Sequence, residues 1–498
     1  MTFRFGVRMA AALFFVSPAL ASVPTPFDRA AWQQDYAELK HALELGYANL
    51  AWKGSGAGGV DLPALNRTAT DALAHAQSDA QAMDAIRTFV AGFHDGHLSE
   101  QPYLAPSGRA GATEPAEPAL SAKDPIGGCA ALGFASTGPV AFSLPFERLA
   151  EFKLLSDGLG ETFRTGLIRP EPGVILGFIR IQAFRARAFP AACLHAWSDQ
   201  VMAGTPITAD TVRDTAVNRW FGDLADAMER LRRGGATAIV IDIGNNGGGD
   251  DSGDWTSRLF TNRQVHSARL LMIDAPVAAE YFDEVLGNLS AALDKRPGRA
   301  GVEALSEAHI RFSNLKAQIG RRGCDLSWVW REQRRWSLAA CNRLVDAGYS
   351  GGASAGLPRG AYADRAVATS LSSASTVEAQ FGTWTGPTYV LADKRSYSSA
   401  EMFAAVMRDN HVAKIVGVRT GGDGCGFMTS ATPVVLIHSR LRFRMPNCLR
   451  LRADGTNEQA GIEPDLPVLP TEGESDRARA ARAASAIAAD VLRGQGQR

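Results

Sequence analysis

The apolar run over residues 236–243, closed by Asn245-Asn246-Gly247-Gly248-Gly249, constrains this chain most. A strand that is apolar on both faces needs cover on both, and the parallel sheets of α/β proteins provide it. An amphipathic stretch over 211–233 leads into this run, as a crossover helix does. Residues 174–181 and 388–391 read as strands of the same sheet, and 414–418 and 433–438 as further strands. The expected fold class is therefore α/β.

The strand at 388–391 is followed by a short turn, Ala392-Asp393-Lys394-Arg395-Ser396-Tyr397, and then by the helix-like run that opens Ser398-Ser399-Ala400-Glu401. A hydroxyl between a strand and a helix start is well placed to be a nucleophile. A serine needs a base within hydrogen-bond reach, a group that orients the base, and amides aimed at the oxyanion. Asp95-Gly96-His97 offers the base and Glu458 a carboxylate. The glycines after the 236–243 strand permit close backbone approach. They lack both the G-x-G-x-x-G and the G-K-[ST] spacing of nucleotide loops. A structural role for His97, a metal site at His94, Asp95 and His97, and Ser396 or Ser399 as nucleophile are the competing readings.

The 498 residues allow two or three domains, and 52 basic against 52 acidic residues give no nucleic-acid face. Arg4 and Arg8, the short apolar run over 9–16 and Ala19-Leu20-Ala21 read as a signal peptide cleaved after residue 21. No later stretch is long and apolar enough to cross a bilayer. The expectation is an exported protein, periplasmic or secreted, without stable membrane insertion. Six cysteines suit an oxidising compartment. Spacing does not fix their connectivity, and the pairing expected is of sequence neighbours, Cys129–Cys193, Cys324–Cys341 and Cys425–Cys448. The division read from the sequence is 1–21 signal peptide, 22–104 helical region carrying His97, 105–170 linker and small β-rich module, 171–470 α/β core with a mostly helical insertion at about 262–350, and 471–498 terminal helix.

Taken in order, Phe93-His94-Asp95-Gly96-His97, Ile241-Asp242-Ile243-Gly244 with its glycines, Ser396-Tyr397-Ser398-Ser399-Ala400-Glu401, Arg408-Asp409-Asn410, Val416-Gly417-Val418-Arg419-Thr420-Gly421-Gly422, and Glu458 with Gly461-Ile462-Glu463-Pro464-Asp465 resemble the tail-specific, or C-terminal-processing, serine peptidases. Within them the likeness is to the tricorn-core-like branch. The resemblance implies a mixed-sheet core of the crotonase (ClpP/crotonase) type. It makes Ser398 the nucleophile, His97 the base and Glu458 the orienter of the base. Gly247 and Gly248, with the Ser399 amide, form the oxyanion site, and Asp409 and Thr420 support the nucleophile by hydrogen bonds. The lysine of the family's Ser–Lys branch is replaced by Asp423, which removes that dyad. The family's peptide-binding module of the PDZ type would occupy residues 127–163, where no carboxylate-binding loop is read.

The function expected is hydrolysis of peptide or unfolded-protein substrates through an acyl-enzyme, with no cofactor, no metal and no nucleic-acid partner. A noncatalytic binding protein on the same scaffold and an esterase for small substrates are the alternatives.

Overall fold

The computed structural model describes residues 26–102, 117–321, 323–429 and 432–496. The signal peptide and residues 105–116 of the expected linker lie outside the described residues. Three longer helices, Arg29–Gly46, Leu62–His75 and Asp79–Ala91, form most of the N-terminal region. Each starts at an oxygen-bearing cap: Asp28, Asp61 and Ser78 accept the amides of Ala31, Ala64 and Gln81. Their apolar faces, with Tyr36, Leu39, Leu43, Leu73 and Phe89, pack on Trp328, Trp330 and Phe443 from later in the chain.

The centre is a mixed seven-stranded sheet. Across it run Leu466–Pro467, Lys414–Gly417, Thr388–Ala392, Ala238–Asp242, Val174–Arg180, Arg164–Glu171 and Lys153–Asp157. The first five are joined in parallel, and the last two add antiparallel. Side-chain alternation explains the double cover. Ile239 and Ile241 face the helix Ala209–Arg233 through Trp220, Phe221 and Leu224. Ala238 and Val240 face the terminal helix Asp476–Gly496 through Ala484, Ile487 and Val491. The terminal helix is thus part of the core.

Two expectations are corrected. The region around 127–163 is no separate β-rich module: it holds a helix, Pro125–Ala131, and Lys153–Asp157 enters the main sheet as its edge strand. The insertion carries a sheet as well as the helices Pro276–Asp294 and Arg299–Lys316, because Arg269–Ile273 and Leu344–Tyr349 pair with Cys448–Leu451. The strand expected at 433–438 shortens to Val434–Val435.

The disulfides are Cys129–Cys193, Cys324–Cys341 and Cys425–Cys448. The third clips the loop after Gly417 to the strand Cys448–Leu451, at a sequence separation of 23. Closing a loop of this size restricts the unfolded chain and stabilises by about 3 kcal/mol. Replacing Cys425→Ser together with Cys448→Ser should lower unfolding free energy in urea by about that amount.

Candidate active site

The turn after Thr388–Ala392 is fixed by its own polar groups. The Ser396 hydroxyl donates to the Ile243 carbonyl (2.8 Å), and Asp393 Oδ1 accepts the Asn245 and Arg395 amides (2.9 and 2.8 Å). Ser396 is fully buried and its hydroxyl is spent on the backbone. Ser399 is also buried, donating to the Asp250 carbonyl at 2.5 Å. Neither is poised to attack.

Ser398 differs from both. Its backbone sits at φ 56° and ψ −117°, a region that costs a non-glycine residue about 1–3 kcal/mol. Glu401 Oε2 accepts its amide at 3.1 Å, and Arg450 Nη2 donates to its carbonyl at 3.3 Å. Its hydroxyl lies 3.1 Å from His97 Nε2.

His97 is held from three sides. Its amide donates to Asp95 Oδ1 (2.9 Å), and the Gly96 amide to Asp423 Oδ1 (2.9 Å). Gly426 lies against the ring so closely that an added Cβ would stand 2.5–2.8 Å from ring atoms. Phe427 meets the imidazole edge-on at 5.9 Å. His97 Nδ1 is buried without a hydrogen-bond partner among the described residues, and Asp95 Oδ1 stands 3.8 Å from it. Asp95 is buried and anchored through Oδ2 by Tyr47 Oη (2.7 Å) and Gln459 Nε2 (2.6 Å). Burial, reinforced by the Asp95 charge, pushes the Tyr47 phenol well above its ordinary range, so it remains a neutral donor. His94 turns to solvent, away from any joint site with His97.

Glu458 is not on the histidine. Both its oxygens are taken by Arg450 Nε and Nη2 at 2.7 Å, in a buried bidentate pair. An always-charged guanidinium inside the protein demands a carboxylate, and Glu458 is the one that supplies it. Its effect on the site runs through Arg450 to the Ser398 carbonyl.

Glu401, to which the sequence alone assigns no role, is the hub. Its carboxylate accepts the amides of Ser398, Gly422 (2.7 Å), Asp423 (2.9 Å) and Gly424 (3.0 Å), and the Thr420 hydroxyl (2.6 Å). Thr420 therefore supports the nucleophile through Glu401. Burial pushes the Glu401 carboxyl up to about 7, with the Thr420 hydroxyl and the loop amides pulling it down. Since all five partners donate, the ionised form is the one they fit. Asp409 ends the same helix, Ser399–Asp409, about 16 Å from Ser398 at the helical rise. It pairs with Arg452 and accepts the Ala453 amide, so its expected support of the nucleophile is not found.

The glycine segment runs beside Ser398. Gly248 has φ +98°, and an added Cβ would lie 2.7 Å from Ser398 Cβ. Its amide, however, donates to Asn246 Oδ1 at 2.8 Å, and Asn246 is itself fixed by donating to the Ile181 carbonyl. The expected Gly248 oxyanion donor is thus already engaged, and Gly247 faces open space. The Ser399 amide has no acceptor among the described residues. Gly249 was not singled out in the sequence. The Gly248 carbonyl and Asp250 amide both bond Phe184, which turns the Gly249 N–H to the opposite edge.

The Ser398 turn and the glycine segment leave the carboxyl ends of two adjacent parallel strands, and His97 reaches the serine from the turn after the helix Asp79–Ala91. Residues 342–468 match the model of peptidase family S41. The matched segment includes Ser398, Glu401 and Glu458; His97 and the glycines lie before it. No curated protein matches the sequence. Among solved structures, mature CPAF complexed with lactacystin is similar with a TM-score of 0.56 and 14% identity, over 94% of this chain and 99% of that one. Another structure of mature CPAF gives 0.51 and 15%, over 94% and 98%. At these identities the likeness bears on the fold. The matched segment, about a quarter of the chain, is similar to the S41 peptidases, and the fold is similar to that of mature CPAF.

Two substitutions test the geometry. Gly426→Ala should displace the imidazole and lower kcat/KM about a hundredfold. Glu401→Gln should cost about 3 kcal/mol in denaturant unfolding, because it faces an amide group toward buried donors.

Proposed function

We propose that the protein is an exported peptide hydrolase in which Ser398 attacks a peptide carbonyl with His97 as base. The 3.1 Å approach of His97 Nε2 to Ser398 Oγ carries this reading. As the Oγ–carbon bond forms, the hydroxyl proton passes to Nε2. The oxyanion is met by the Ser399 N–H and, from the facing segment, the Gly249 N–H. The C–N bond then breaks, and His97 gives its proton to the leaving amine. Water, deprotonated by the same imidazole, releases the acyl group from Ser398 and restores the hydroxyl.

Asp95 is the acid of this reading. Its carboxylate, fixed by Tyr47 and Gln459, faces Nδ1 and stabilises the imidazolium that forms. Glu458 serves through Arg450. Substrate binds as an extended segment, with no cofactor. The three disulfides favour an oxidising compartment, periplasmic or extracellular. Among the described residues no helix is long and apolar enough to cross a membrane.

Hydrolysis of a denatured protein by four variants tests the roles. Ser398→Ala and His97→Ala should abolish cleavage while the fold survives. Asp95→Asn should lower kcat about 10²-fold or more. Glu458→Gln should instead show first as lost stability, about 3 kcal/mol, because it strands Arg450. Cleavage retained by Ser398→Ala overturns the assignment, and a larger kcat loss in Glu458→Gln than in Asp95→Asn returns the acid role to Glu458.

A further inference from the structure

Next to the turn that carries the nucleophile is a half-open cavity of about 170 Å³, with an apolar side formed by Val217, Trp220 and Phe221 of the helix Ala209–Arg233 and by Trp255 and Ala186. Asp250, Asp251 and Ser252 complete it on the side of the nucleophile turn, and burial pushes the Asp251 carboxyl up to about 7, which lessens the charge on that side. That side is fixed to the nucleophile turn, since the Asp250 carbonyl accepts the hydroxyl of Ser399, the residue after Ser398. Phe221 and Trp255 are stacked at 6.0 Å, and Trp220 meets Phe221 edge-on at 4.8 Å. Two polar atoms of the lining, Trp220 Nε1 and Ser252 Oγ, are buried without a partner among the described residues. Its aromatic walls offer dispersion contacts to an apolar guest. Nothing else in the described chain enters it.

We infer that this cavity is the specificity subsite of the peptidase, and that it takes one aromatic or large branched apolar side chain from the residue whose carbonyl Ser398 attacks. The inference rests on the proposed function. In that reading the attacked carbonyl lies between Ser399 and the Gly248–Gly249 segment, one residue before Asp250. The side chain nearest to that carbonyl is that of its own residue, so the adjoining cavity receives it. Size agrees, because a dry cavity of about 150 Å³ holds a benzene ring. Edge-to-face and offset contacts with Trp220, Phe221 and Trp255 favour an aromatic guest over an aliphatic one. A cavity of about 1100 Å³ lies at the far end of the helix Ser399–Asp409, and its charges are satisfied by Arg408–Asp465, Arg452–Asp409 and Lys414–Asp490 pairs. It offers no comparable apolar side.

The test is the pattern of cuts made in a denatured protein, read by mass spectrometry, for the wild type and for Val217→Trp, which fills the cavity. The wild type should cut after Phe, Tyr, Trp, Leu and Met about tenfold more often than after Ala, Gly or Ser, the discrimination that burial of one large side chain provides. In Val217→Trp the ratio should fall to near one. Because the ratio is internal to each sample, partial loss of active protein does not mimic it. Cuts by the wild type without this preference, or the same preference in the filled variant, overturn the subsite and leave the peptidase reading standing. No cuts by the folded wild type overturn the proposed function and the subsite with it.

Discussion

One buried carboxylate holds the site together. Glu401 lies fully inside the protein and binds the Ser398 amide on one side and the 420–424 loop on the other. That same loop reaches the histidine twice, through Asp423 on the Gly96 amide and through Gly426 against the imidazole. The separation of Ser398 from His97 is therefore set by donors gathered around a single negative charge. Burying that charge is tolerable because every lone pair finds a donor. It also offsets the unfavourable backbone conformation at Ser398, which no local propensity supports.

Beneath the histidine is a larger polar assembly. Asp95, Asp423 and Glu401 approach one another closely enough to act on the same Lys53 ammonium, whose ordinary pKa burial lowers and these carboxylates raise. Burial likewise pushes Asp423 above the usual carboxylate range, with the Gly96 amide and His97 opposing it. Such a cluster adds to Asp95, 3.8 Å from Nδ1, in giving the imidazolium of the proposed mechanism a negative surrounding. Arg450 and Glu458 form a second unit that grips the nucleophile from its carbonyl side. The disulfide Cys425–Cys448 ties the two together, joining the histidine-facing loop to the strand that carries Arg450.

Much of this was legible from local sequence. The buried strands at 238–242 and 388–392 and the junction at Ser398 announce themselves, because double-sided apolarity and a polar turn are properties of neighbouring residues. What escaped depends on which distant groups meet. Glu458 reads as the histidine's partner until Arg450 is seen to claim both its oxygens. A signal existed: Arg450 interrupts the strand Cys448-Leu449-Arg450-Leu451, and a charge in an apolar strand implies a buried counter-charge. Asp95 reads from the sequence as part of a turn or of a metal site, and its burial against Tyr47 and Gln459 is a tertiary fact. The Asn246 side chain that occupies the Gly248 amide is equally beyond a one-dimensional reading. The edge strand Lys153–Asp157 was set apart because its Leu154, Leu155 and Leu159 neighbourhood is half exposed and lacks the double-sided apolarity of the central strands.

The most direct measurement is the site of covalent capture by a small fluorophosphonate, mapped by peptide mass spectrometry. The account predicts one adduct, on the peptide bearing Ser398, in the wild type, and none in folded His97→Ala. An adduct on another residue, or undiminished capture without the imidazole, would contradict it.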